Sequence, residues 1–260
     1  LVLQMAKLPK KYQFIDLSDY GRKPGHWIAS KLQYTDLTAI HVTTMFIITG
    51  LIAIGFLLNG YLMTSAFFII LKSILDAADG ELSRLKKNPS YVGRYYDSIA
   101  DLVLNFFFLL TFWYITDISI IFMIIAFLGI QLQGTLYNFY YVILRNSVEG
   151  DTTSRVIENT KPKAFKGESQ SRVNLFYKIY NILYICFDKS MYYMDENARF
   201  SQPFPKWFMT LISLYGLGFQ LLLMALMLVL KLQSFVIPFF IGYSILIILF
   251  ISIRKLILKS

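Results

Sequence analysis

Long apolar runs alternate with short polar interruptions along the chain. Six runs approach the roughly 20 residues that a helix needs to cross hydrocarbon: Leu37–Leu58, Tyr61–Asp79, Tyr96–Ile115, Ile118–Leu144, Trp207–Leu230 and Phe235–Ile253. They predict an all-α integral membrane protein with six transmembrane helices. Ahead of them, Pro24–Gln33 (PGHWIASKLQ) has the pattern of an N-terminal interfacial amphipathic helix, with Trp27 and Ile28 toward lipid and Lys31 among head groups. A solvated N-terminal arm fits the same pattern equally well. Between the fourth and fifth runs lies the longest polar segment, 146–206. Its first half, Asn146–Gln170, reads as a loop. Its second half, Ser171–Met194, places Val173, Phe176, Tyr177, Tyr180, Leu183, Tyr184 and Phe187 at helical spacing. That half predicts a cytoplasmic or interfacial helix ending before Pro203 and Pro205. The domain organisation expected is an N-terminal cytoplasmic or interfacial segment over 1–36 and a six-helix transmembrane domain over 37–260.

Composition agrees with this pattern. Of 260 residues 56% are hydrophobic and only 16% charged, which excludes an ordinary soluble domain. Met5–Lys11 leads into a polar segment, so no cleavable signal peptide is expected. The single cysteine, Cys186, rules out an intrachain disulfide and reads as a packed small residue. The net charge of +9 falls on alternate loops. The N-terminal segment, Glu81–Tyr95, Arg145–Lys206 and the C-terminus (Arg254, Lys255, Lys259) are basic, whereas the opposite loops carry almost no cation except Lys231. The positive-inside rule then places both termini in the cytoplasm and the basic loops near anionic membrane lipids. No nucleic-acid partner is expected, because the basic residues are dispersed and no such motif is present.

Candidate chemistry is concentrated in Asp76–Asp101, D-A-A-D-G-E-L-S-R-L-K-K-N-P-S-Y-V-G-R-Y-Y-D-S-I-A-D. Asp76 and Asp79 are spaced i,i+3, and Asp97 and Asp101 are spaced i,i+4, so each pair shares a helix face. One pair closes an apolar run and the other opens the next. Four neighbouring carboxylates resist ionisation unless cations offset them. Oxygen-only ligands suit Mg²⁺, Mn²⁺ or Ca²⁺ rather than zinc, and paired hard cations on shared carboxylates serve phosphoryl chemistry. Acids at a membrane edge are usually functional rather than solvated loop residues.

The same stretch resembles the signature of the CDP-alcohol phosphotransferases, D-x2-D-G-x2-A-R-x8-G-x3-D-x3-D. The matching residues are Asp76, Asp79, Gly80, Arg84, Gly93, Asp97 and Asp101, with Ser83 where the family usually has Ala. The resemblance implies a membrane transferase that uses Mg²⁺ or Mn²⁺, as two ions held by Asp76, Asp79, Asp97 and Asp101. It implies that Asp101 is the general base and that Gly80 and Gly93 contact the donor nucleotide, while the Arg84 fork suits substrate phosphate or the bracing of an aspartate. Glu81 is read as a solvent-facing residue. The implied partners are a CDP-linked lipid donor, CDP-diacylglycerol first, a small alcohol acceptor and a second copy of the chain. The implied location is a bacterial inner membrane, with the site on the cytoplasmic side. The acceptor stays open. Asp97-Ser98-Ile99-Ala100-Asp101-Leu102 departs from the phosphatidylglycerophosphate synthase pattern, and the marks of serine- and inositol-phosphate-using members conflict. Arg145, Arg155 and Arg172 could hold an acceptor phosphate, but contact with lipid head groups is the stronger reading. Tyr34–Thr44 is similar to the family's entry to its first helix, with Ala39-Ile40 replacing Pro-Asn, so neither His41 nor His26 is assigned a ligand role. Two other readings are kept: a transferase of the CDP-choline or CDP-ethanolamine type with a lipid acceptor, and a cation transporter using the acidic cluster.

Overall fold

A computed structural model describes residues 8–148, 156–158, 160–200 and 203–258. Met5, Lys7, Arg155 and Lys259 lie outside the described residues. The described chain is helical and contains no strand. It comprises α1 (Arg22–Leu32), α2 (Ala39–Leu58), α3 (Leu62–Leu85), α4 (Tyr91–Tyr114), α5 (Ile120–Ser147), α6 (Gln170–Met194), α7 (Lys206–Ile212), α8 (Leu217–Val229), α9 (Val236–Tyr243) and α10 (Leu246–Ile257), with short 3-10 turns between. The expected helix over Ser171–Met194 is α6.

Among the described residues, four helical stretches are long and apolar enough to cross a membrane: Ala39–Leu58, Tyr91–Tyr114, Ile120–Ser147 and Gln233–Leu256. A fifth is added if Lys206–Tyr215 and Leu217–Val229, bent by 53°, form one span. The second expected span, α3, falls outside this set because Lys72, Asp76 and Asp79 interrupt its apolar run. Large apolar side chains such as Ile48, Phe67, Ile121 and Ile248 are exposed, which is consistent with an integral membrane protein whose outer face meets lipid.

α2 and α3 form a tight antiparallel pair. Gly60 takes the left-handed conformation (φ 78°) that lets the chain reverse, and Ser65 Oγ donates to the Ala53 carbonyl at 2.8 Å. At its other end α3 continues past the apolar run to Leu85, and α4 begins at Tyr91 rather than at Tyr96. The apolar pattern ends where the acidic stretch begins, but the backbone stays helical. The α3–α4 turn is therefore only 86–90, with Lys87 in the left-handed region at φ 51°. Lys86 Nζ ties this turn to the Thr35 and Leu37 carbonyls at 2.5 and 2.7 Å.

From residue 8 onward the N-terminal segment packs as part of the bundle and is not a detached arm. Gly21 and Gly25 bring α1 against Ser73, Ile74, Ala77 and Ala78 of α3, so closely that a Cβ on Gly25 would lie 2.9 Å from the Ala78 nitrogen. Trp27 is exposed as expected. Ile28 instead packs beside Ala29, Val42, Ala78 and Leu82, because that face of α1 is taken up by α3. The 3-10 turn Leu17–Asp19 enters a notch at the α7–α8 bend, where Gly216 and Gly218 leave room for Ser18. Leu17 N–H donates to Ser213 Oγ there at 2.9 Å.

One apolar cluster joins Phe46, Leu57, Ile69, Phe108, Phe112, Leu221 and Phe240 across α2, α3, α4, α8 and α9. Another joins Tyr140, Met191, Phe208, Ile212, Tyr215 and Phe250 across α5, α6, α7, the turn that follows it and α10. Buried polar groups are cross-linked. Gln220 Nε2 donates to the Ile130 carbonyl and to Gln133 Oε1, both at 3.1 Å, and Gln133 Nε2 donates to Ser244 Oγ at 2.9 Å. Arg254 of α10 pairs with Asp195, which also accepts from Tyr140 OH at 2.7 Å.

The described part of 156–169 is a loop, as expected, and it is bound to the bundle. Glu168 accepts hydrogen bonds from Ser90 Oγ (2.7 Å), Tyr91 N–H (3.2 Å) and Val92 N–H (3.1 Å), so a carboxylate caps the positive end of α4. Glu158 pairs with Arg94 at 2.5 Å. α6 lies against α4 and α5, and Tyr184 OH donates to the Ser98 carbonyl at 2.7 Å.

Candidate active site

α3 and α4 meet along the acidic stretch. On α3, Lys72, Asp76 and Asp79 fall at i, i+4 and i+7, one helix face. On α4, Asp97 and Asp101 are one turn apart. Asp76, Asp97 and Asp101 each offer a carboxylate oxygen, and the three atoms lie within 4.8 Å of one another. Asp97 Oδ1 is buried without a hydrogen-bond partner. An oxygen-only group with a buried, unsatisfied carboxylate oxygen fits a hard divalent cation.

Asp79 is placed differently from the other three. It is 6% exposed and accepts a 2.6 Å hydrogen bond from Thr43 Oγ1 on α2. The same hydroxyl donates to the Ala39 carbonyl at 3.0 Å. Asp79 thus stands beside the close trio and is oriented by the neighbouring helix.

Lys72 was not singled out from the sequence. Its side chain is 1% exposed. Its Nζ donates to Asp76 Oδ2 at 3.1 Å and, at closer range, to Asp101 Oδ1. It also lies 4.5 Å from the centre of the Phe46 ring, a cation–π contact. The signal in the sequence was the i,i+4 spacing of Lys72 and Asp76 inside an apolar run, where an ammonium needs a partner.

Arg84 Nη2 pairs with Glu81 Oε1 at 2.7 Å on the same helix. Glu81 also faces His26 Nδ1 at 3.3 Å and Arg22 Nε at 3.9 Å, both on α1. The solvent-facing reading of Glu81 is therefore corrected: its side chain is 13% exposed, because three basic groups converge on it. Gly80 and Gly93 lie within α3 and α4, not in the turn. A Cβ on Gly80 would make only ordinary contact with the Arg84 guanidinium at 3.5 Å, so packing does not require glycine there. Gly93 N–H donates to Ser90 Oγ at 2.8 Å, and a Cβ there would crowd that oxygen at 3.2 Å. Its contact in the structure is with the helix cap.

His41 stays local, with its Nδ1 accepting from Thr38 N–H at 3.0 Å at the start of α2. Arg145 is 5% exposed and stacks 5.2 Å from the Tyr141 ring, so it does not reach a head-group layer, whereas Arg172 is exposed. A separate recess between α5 and α6 is lined by Thr135, Asn138, Phe139, Val142, Val156 and Asp188. Burial first, and then repulsion from Glu158, pushes the Asp188 carboxyl up to about 7, while Arg94 opposes the shift.

Residues 37–233 match the family model for CDP-alcohol phosphatidyltransferase. No curated protein and no solved structure matches the chain.

Proposed function

The chain belongs to the CDP-alcohol phosphatidyltransferase family, and on that premise we propose that it transfers a phosphatidyl group from CDP-diacylglycerol to a small alcohol, releasing CMP. Family membership implies phosphatidyl transfer from a CDP-alcohol. The lipid donor is part of the proposal, as are a single catalytic unit over 37–260 with six spans, α3 among them, an α1 that rides at the membrane surface over 1–36, a cytoplasmic site and termini in a bacterial inner membrane, and a homodimer. The observation that carries the reading is the convergence of Asp76, Asp97 and Asp101 from two helices.

In this reading the acceptor hydroxyl oxygen attacks the phosphorus that bears the lipid group. A new P–O bond forms, and the bond from that phosphorus to the CMP oxygen breaks. Asp101 receives the hydroxyl proton. It has an oxygen to offer, because only Oδ1 is engaged by Lys72. Asp76, Asp97 and Asp101 would hold Mg²⁺ or Mn²⁺, with Asp79 at the edge of the group. The metal would supply charge stabilisation at the pyrophosphate and a better leaving group. Gly80, Arg84 and Gly93 border the same face and would meet the donor nucleotide. For Arg84 that requires sharing its guanidinium with Glu81.

The test is CMP release by purified protein in liposomes containing CDP-diacylglycerol, with Mg²⁺ or Mn²⁺ and separate additions of glycerol 3-phosphate, serine, inositol and inositol phosphate. Release with one acceptor is expected. Asp101→Asn should lower it by roughly 10²–10⁴-fold while leaving a monodisperse protein. No release with any acceptor, nor with CDP-choline or CDP-ethanolamine plus diacylglycerol, would sink the transferase reading.

A further inference from the structure

We propose that Lys72 is a built-in cation standing in for one of the two divalent ions that the family resemblance implies, so that the carboxylate group holds a single ion. The proposal rests on reading that group as a metal centre.

The first support is where the ammonium sits. Lys72 Nζ bridges Asp76 on α3 and Asp101 on α4, which is the position an ion shared between the two helices would take. The second is that it is held there. The side chain is 1% exposed, and Phe46 closes a third side at 4.5 Å, so the ammonium is held among α2, α3 and α4. A shared ion on the same two oxygens would meet a buried positive charge at contact distance.

The oxygens that remain point the same way. Asp97 Oδ1 lacks a hydrogen-bond partner, and among the described residues Asp97 forms a close set with Asp76 and Asp101. The fourth carboxylate, Asp79, is engaged by Thr43. A second divalent ion would have to compete with the Lys72 ammonium for the oxygens of Asp76 and Asp101.

The experiment counts Mn²⁺ per chain by equilibrium dialysis, with electron paramagnetic resonance on the same samples. It uses the full chain in detergent as wild type, Lys72→Met, Lys72→Gln and Lys72→Arg. The wild type and Lys72→Arg should bind one ion each and give the spectrum of an isolated Mn²⁺. Lys72→Met, or Lys72→Gln if the Met variant is not monodisperse, should bind two ions with a spin-coupled spectrum. Two ions in the wild type would overturn the proposal, as would a single ion in the folded neutral variants. CMP release by the same wild-type preparation separates the two readings. Two bound ions with CMP release would remove the role of Lys72 and leave the transferase intact. No bound Mn²⁺ and no release would remove both.

Discussion

Replacing Arg254 by Met is expected to destabilise the C-terminal half of the bundle severely. Arg254 is 4% exposed and Asp195 1% exposed, and Arg254 Nε lies 2.6 Å from Asp195 Oδ2 with a second contact from its terminal nitrogen. Truncation leaves a buried carboxylate with one remaining donor, Tyr140 OH at 2.7 Å, and no counter-charge. Breaking one side of such a pair costs about 3–5 kcal/mol. At ~2–4 °C per kcal/mol for a domain near this size, the midpoint should fall by roughly 6–20 °C. The assay is heat challenge in detergent followed by gel filtration, reading the surviving monodisperse peak. The double variant Arg254→Met/Asp195→Leu removes both charges and should recover most of the loss, leaving about 1–3 kcal/mol for the orphaned Tyr140 hydroxyl. A single variant that melts within about 2 °C of wild type, where several kcal/mol are predicted, would refute the reasoning. A double variant as unstable as the single would do the same, since the damage would then not come from an unpaired charge.

Two further changes follow from the site and its surroundings. Thr43→Val removes the 2.6 Å hydrogen bond to the Asp79 carboxylate and should cost about 1.5–3 kcal/mol, with Thr43→Ser close to wild type; melting in EDTA checks this, and equal midpoints for Val and Ser would contradict it. For Asp188 the folded-state carboxyl titrates near 7 and the unfolded one near ~3.9. The folded chain therefore keeps a proton that the unfolded chain has lost, so this group makes stability fall as pH rises from about 4 to about 7, with no further change above. Asp188→Asn should flatten that slope in denaturation measured at pH 5 and pH 7.5, and an unchanged slope would count against it.

The aspartates were legible because their spacing is a property of single helices. Asp76, Asp97 and Asp101 converge, while Asp79 of the expected four stands apart with Thr43, and the long connector contains the helix its apolar spacing announced. What stayed hidden depended on contacts distant in sequence. Lys72 looked like one polar residue in an apolar run until α4 supplied Asp101. Glu81 looked solvated because Arg22 and His26 reach it from another helix. Glu168 lies in a polar tract, and its role as a cap for α4 comes from a fold that carries it 78 residues back along the chain. At the site the helices run past the expected span ends for a related reason. Hydropathy marks where the chain meets lipid, and α3 and α4 remain helical beyond that point.

The tight pairing of α2 and α3 also bears on how the chain enters a bilayer. Ionised side chains cost about 2.5–3.5 kcal/mol each near the centre of an inserting helix, and α3 carries Lys72, Asp76 and Asp79 within its length. Alone it is a poor candidate for release from a translocon into lipid. α2 has no Asp, Glu, Lys or Arg, and the reversal at Gly60 leaves almost no chain between the two helices. Insertion as a helical hairpin would let the uncharged partner carry the charged one, with the Lys72–Asp76 pair already partly neutralised within a single turn of α3. The second carboxylate held by Lys72, Asp101, arrives only with α4. Biogenesis of the membrane domain and assembly of its acidic centre would then be one event, completed only when the third helix arrives.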